Sequence, residues 1–124
     1  MPSPPSFRRK TIAILQNARN LIKLPEFWTQ GCLARRANGL PVFYRDEAAC
    51  SWCIAGAVLR EQMVFPESGQ EALNAIAAAI NVRRSAIVPM TISQFNDEPL
   101  QKHSEVLAVF DDAIKLLKAQ ERKK

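Results

Sequence analysis

The chain has 124 residues, of which 17 are basic and 12 acidic, giving a net charge of +5 at neutral pH. With 48% apolar and 23% charged residues it is too apolar for a disordered chain and is the size of one domain that can build a core without disulfides or metal. No run of eighteen apolar residues occurs, the opening MPSPPSFRRK lacks the apolar stretch of a signal peptide, and three cysteines make an odd count for a disulfide framework, so a membrane span and secretion are not expected and a cytoplasmic protein with reduced thiols is.

Residues 1–6 hold three prolines and two serines and are expected as an extended lead-in to one helical domain over 7–120, followed by a basic tail over 121–124. Ile14, Leu15, Ala18, Leu21 and Ile22 recur at helical spacing and predict an amphipathic helix that Pro25 ends. Phe27 and Trp28 then open a structured loop whose aromatics are expected to plug the core. Between Cys32 and Tyr44 the Asn38-Gly39 pair suits a tight turn, and Pro41 limits the flanks to a short edge hairpin. A helix over 32–37 is the rival reading.

The nearly uncharged stretch Ala48–Leu59 (AACSWCIAGAVL) predicts a central helix from Ala48 to about Gln62, apolar on two sides and capped by Asp46. Gly56 costs such a helix roughly 1 kcal/mol against Ala, so a close neighbour is expected there. Ser68 with Glu71 predicts a capping box before an alanine-rich helix carrying Ala72, Leu73, Ile76, Ala79 and Ile80, and Thr91 with Gln94 predicts a second box before a short helical turn. Val106, Leu107, Phe110, Ala113, Ile114 and Leu117 mark the buried face of a last helix over about 104–120. The expected fold is all-α or mainly α, with four to five helices packed around a central apolar one and a short β-hairpin near 32–44.

Cys50-Ser-Trp-Cys53 has the CxxC spacing of dithiol and zinc sites. The redox form needs a strand leading into the helix, and none is evident; zinc needs two more ligands, with only Cys32 and His103 to supply them. A nucleophilic Cys53 with His103 and Asn96 or Asp97 needs three elements to converge on a cysteine inside an apolar helix. The chain's four glycines form no phosphate loop. No cofactor, no metal and no catalysis are expected. Arg35, Arg36, Arg45 and Tyr44, joined by Arg83 and Arg84, offer a basic cluster for nucleic acid, whereas the alanine-rich face offers a surface for a protein partner or for self-association.

Trp28-Thr29-Gln30-Gly31, Trp52-Cys53 with Gly56-Ala57, Phe95-Asn96-Asp97, and Glu105-Val106-Leu107 with Phe110-Asp111 and Ala113-Ile114 together resemble a family of small bacterial and phage-encoded proteins of unknown function. The similarity spans roughly residues 10–117. It implies a compact helical domain, supplies no activity, and implies that Trp28, Gln30, Cys53, Asn96 and Asp97 meet in space. They meet either as an open pocket or as a packed polar knot in which Asn96 and Asp97 cap helix ends. The expected function is a non-enzymatic accessory module that binds a protein through Trp28, Gln30, Arg35, Cys53, Asn96 and Asp97, with nucleic-acid binding as the alternative and a cysteine-dependent enzyme or zinc site behind it.

Overall fold

The computed structural model describes residues 5–84 and 89–122. Residues 1–4 of the expected lead-in and residues 123 and 124 of the expected tail lie outside the described residues. Five α-helices and a two-stranded antiparallel sheet are described: α1 (Pro5–Leu21), β1 (Ala34–Arg36), β2 (Ala49–Trp52), α2 (Ile54–Glu61), α3 (Gly69–Arg84), α4 (Ile92–Asn96) and α5 (His103–Arg122). The protein is therefore mainly α with a short β element, as its composition and periodicity predict.

The core is where the helical stripes place it. Ile14, Leu15 and Ala18 of α1 with Ile22 just after it, Val106, Val109, Phe110, Ala113 and Leu117 of α5, and Ala72, Ile76, Ala79 and Ile80 of α3 are buried together. The stripe of Ala72, Ala75 and Ala79 on α3 is spent inside the protein, where α3 packs against α5, α1 and α2. Phe27 departs from expectation: it lies on a 3-10 turn (Pro25–Phe27) and is 38% exposed, while Trp28 next to it packs on the core.

The predicted helix from Ala48 needs correction. Ala49–Trp52 is a strand, Cys53 is the residue that caps the helix, and α2 begins only at Ile54. Asp46 caps a turn instead, its Oδ1 accepting from Ala48 N at 2.8 Å. The rival helix over 32–37 is replaced by β1, which pairs Ala34 with Trp52 and Arg35 with Ser51. Arg36 then pairs with Ala49, so Cys50 is the extra residue of a bulge. The Asn38-Gly39 turn forms, with Gly39 at φ +89°, but the hairpin beyond it is reduced to a bridge between Arg35 and Pro41. Proline has no N–H to extend that ladder.

Of the two predicted capping boxes, the Thr91–Gln94 box is complete, with Gln94 N on Thr91 Oγ1 at 3.0 Å and Thr91 N on Gln94 Oε1 at 2.9 Å. Ser68 and Glu71 are used between elements instead. Ser68 Oγ donates to Phe7 O at 3.4 Å and Glu71 Oε1 accepts from Thr11 Oγ1 at 2.6 Å, which joins α1 to the start of α3.

The shortened α2 still occupies the centre, packed against α1, α3, α4 and β2. Gly56 meets its expected close neighbour: a Cβ there would stand 2.0 Å from the carbonyl oxygen of Leu33. That contact draws the segment before β1 down onto α2 and sets the position of the site described next.

Candidate functional site

The segment after the 3-10 turn runs alongside β2 through a parallel bridge between Trp28 and Trp52, with Thr29 N donating to Trp52 O at 3.0 Å. The end of α4 meets it from the other side. Asn96 is fully buried, and all four of its side-chain hydrogen-bonding positions are filled. Its Oδ1 accepts from Trp28 Nε1 at 2.8 Å and from Ile54 N at 3.1 Å. Its Nδ2 donates to Thr29 O at 3.0 Å and to Asp97 Oδ1 at 2.8 Å. The Ile54 amide is one of the donors that the first turn of α2 cannot satisfy internally, so Asn96 caps a helix 42 residues away in sequence.

The neighbouring side chains extend the same network. Gln30 Nε2 donates to the carbonyls of Asn96 and Glu98, both at 2.9 Å, and Gly31 N donates to Asp97 Oδ1 at 2.9 Å. Gly31 holds φ +87°, a conformation open to glycine at little cost. Arg35, projecting from β1, donates through Nε to Thr29 Oγ1 at 2.8 Å, through Nη1 to Gly39 O at 2.9 Å and through Nη2 to Gln30 O at 2.8 Å. The guanidinium thus clamps the Trp-Thr-Gln-Gly segment to the turn after β1. His103 lies beside Trp28, ring centroids 5.9 Å apart, with Nε2 on Ile22 O at 2.7 Å.

Cys53 belongs to this neighbourhood through the backbone. Its Sγ accepts from Gly56 N at 3.3 Å, so Cys53 and Asn96 cap α2 together. Burial pushes the thiol above its ordinary pKa, against the lowering effect of the Gly56 and Ala55 amides, and Asp97 and Cys32 add to the rise. A thiol in that setting is a poor nucleophile at neutral pH. His103 is held by the Ile22 carbonyl and Cys53 by the Gly56 amide, so the paper assembly of cysteine and histidine is not joined by a hydrogen bond. The CxxC pair is separated as well: three steps of strand span about 10 Å, beyond the roughly 7 Å limit for the Cα atoms of a disulfide. All three cysteines are free. Among the described residues no three His, Cys, Asp or Glu side chains converge as a metal ion requires.

The structure therefore brings Trp28, Gln30, Arg35, Asn96 and Asp97 into one hydrogen-bonded knot and sets Cys53 at its edge. No local pattern signals Ile54 N as a partner of Asn96, or His103 against Trp28. Of the basic residues foreseen for nucleic acid, Arg83 is paired with Glu105 at 3.1 Å and Asp112 at 2.6 Å, Arg84 with Glu98 at 2.8 Å, and Arg35 is engaged by carbonyls. Arg36 and Arg45 remain exposed.

Outside the knot, a groove of about 370 Å³ lies over Phe27, Trp28, Arg35, Arg36 and Cys50. A second hollow of about 310 Å³ shares Phe27 and Cys50 with it and reaches Leu21 and Trp52. Leu24, 48% exposed, and Phe27 are partly open to solvent on the adjoining segment. From the sequence, Phe27 is expected only as a core plug, Arg36 only in the basic cluster and Cys50 only in the CxxC pair; the bulge that turns Cys50 into the groove has no sequence signature of its own.

The fold is a mainly helical domain with a small two-stranded sheet, knotted at a buried asparagine, and among the described residues no helix is long and apolar enough to cross a membrane. The chain belongs to a family of unknown function, DUF6197, whose model matches residues 7–116. This agrees with the expectation of a family of unknown function that spans most of the chain. No curated protein and no solved structure matches the chain.

Proposed function

We propose that the protein is a non-enzymatic binding module, a bacterial or phage accessory protein working in the cytoplasm, whose partner is another protein seated on the groove beside the 3-10 turn. The observation that carries this reading is the division of labour around Trp28. The side chains with the chemistry of an active site spend their polar atoms on each other and on backbone groups, as the four filled positions of Asn96 illustrate. The groove beside them instead presents an aromatic and an arginine, Phe27 and Arg36, of the residue types that dominate protein interfaces. The knot's part is to hold that surface rigid, which lowers the ordering cost of association.

Affinity capture from host lysate with the wild-type chain and with Phe27→Glu tests the reading. A stoichiometric partner retained by the wild type and lost by the variant is expected. Equal capture by both, or no partner at several salt concentrations, removes the proposal.

A further inference from the structure

The groove beside the 3-10 turn consists of two surfaces that share Phe27 and Cys50 and differ in chemistry. The hollow of about 310 Å³ adds Leu21, Ala49 and Trp52 and holds no charged side chain. The groove of about 370 Å³ sets Arg35 and Arg36 against a single acid, Glu26. Among the described residues neither arginine is ion-paired, whereas Arg9, Arg19, Arg83 and Arg84 each meet a carboxylate. Arg35 spends three N–H groups on neutral oxygens, those of Thr29, Gly39 and Gln30. A guanidinium has five such groups and stays charged throughout the range in which proteins fold. The larger surface therefore keeps positive charge that no carboxylate neutralises, and it does so next to an uncharged hollow.

We infer that the groove takes an acidic, amphipathic segment of a protein partner, with an apolar side chain seated on Phe27 and Trp52 and a carboxylate held by Arg36 and the remaining donors of Arg35. This rests on the reading that the groove binds a protein, and it names the chemistry of the segment bound. Charge complementarity sets the sign of the ligand, and the fork of a guanidinium matches a carboxylate in two parallel bonds. The uncharged hollow sets the second requirement, since an aromatic floor stripped of charge is filled by an apolar anchor. Unpaired nucleic acid would also stack on Phe27, but surfaces that hold it follow successive phosphates with a track of cations. Here Glu26 offsets one of the two arginines and the adjoining hollow supplies no cation.

Fluorescence anisotropy of the full chain with a labelled random copolymer of glutamate and tyrosine tests this. The wild type binds at low salt and loses affinity as salt screens the contact. Arg36→Glu, at an exposed position, weakens binding about tenfold or more, and Glu26→Gln, also exposed, strengthens it about threefold; a damaged fold does not produce that gain. Lys118→Glu, the same charge change on a part of α5 that does not line the groove, leaves the affinity within about twofold. Bound copolymer slows thiol labelling of Cys50 and leaves Cys32 as it was. Absence of binding at low salt, an Arg36→Glu curve equal to the wild type, or an equal loss in Lys118→Glu overturns the inference. Polyglutamate binding as tightly as the copolymer overturns it by showing the hollow unused, and oligothymidylate binding as tightly overturns it by assigning the groove to nucleic acid. If lysate capture returns a partner that Phe27→Glu loses while the copolymer fails to bind, this inference falls and the proposed function stands. If the copolymer binds as expected and the lysate returns no partner, the proposed function falls and the preference of the groove for acidic segments stands.

Discussion

A buried primary amide with both lone pairs and both protons engaged admits no isosteric replacement. Asn96→Ala leaves the Trp28 indole N–H, the Ile54 amide and the Thr29 carbonyl without their partner, and each buried group so stranded costs about 1–3 kcal/mol. A loss of roughly 3 kcal/mol or more in urea unfolding is expected, with Asn96→Asp no better because it sets a second carboxylate against Asp97. A loss below about 1 kcal/mol in both variants would mean that the knot is decoration. Cys53 is expected to behave as a capping core residue. Cys53→Ser retains an acceptor for Gly56 N, whereas Cys53→Ala removes it at a cost of about 1 kcal/mol. Because burial raises the thiol, the stabilisation tied to its neutral form is complete below the ordinary thiol pKa and is lost as pH rises through the raised value. Thiol labelling of the native protein should leave Cys53 unreacted at neutral pH while half-buried Cys32 and Cys50 react; rapid labelling of Cys53 would contradict this account. The sequence motifs named the members of the knot, yet Asn96's bond to Ile54 is a tertiary fact with no local signal.

Among the elements, α2 shows what periodicity can and cannot reveal. The nearly uncharged run 48–59 was legible as central, but strand and helix within it differ only by alternation, and the bulge at Cys50 erases the alternation of β2. The partner strand is three residues long, too short to announce itself. The long stripes of α1, α3 and α5 carried no such ambiguity, because three or more turns repeat the pattern. Gly56 is the point at which the two views meet. By propensity alone Gly56→Ala would stabilise α2 by roughly 1 kcal/mol. The new Cβ, however, would sit 2.0 Å from Leu33 O, a backbone atom that is itself bonded to Cys53 N at 3.1 Å. Overpacking of that kind costs about 1–3 kcal/mol, so Gly56→Ala should lower the thermal midpoint and also loosen Cys53, measurable as faster thiol labelling. A raised midpoint would show that the Leu33 segment yields freely and that the tight approach does not position the site.

Over the whole molecule α5 is clasped from two sides, by Arg9 and Arg19 of α1 and by Arg83 of α3. These pairs face solvent and are individually weak, so apolar burial holds the fold and the charges tune its response to pH. The hydrogen bond from Arg83 keeps the Glu105 carboxyl below its ordinary range. Its contribution is therefore fully present above the unfolded-state value and disappears as pH falls through the lowered one. Glu61 has the opposite sign. Burial raises its carboxyl, so the folded state takes up this proton more readily than the unfolded chain, and stability is gained as pH falls through the raised value. On acidification Glu61 protonates first and Glu105 last, which separates the two effects along the pH axis on either side of the ordinary glutamate value of about 4.3. Urea midpoints measured against pH should show Glu61→Gln losing the gain on the mildly acidic side, and Glu105→Gln losing part of the steep decline at lower pH. High salt should narrow the difference between wild type and Glu105→Gln, since that pair is solvent-facing, and leave the Glu61 difference in place. If Glu105→Gln follows the wild-type curve throughout, the Arg83–Glu105 contact does not persist in solution, and α3 is joined to α5 by packing and the Arg83–Asp112 pair.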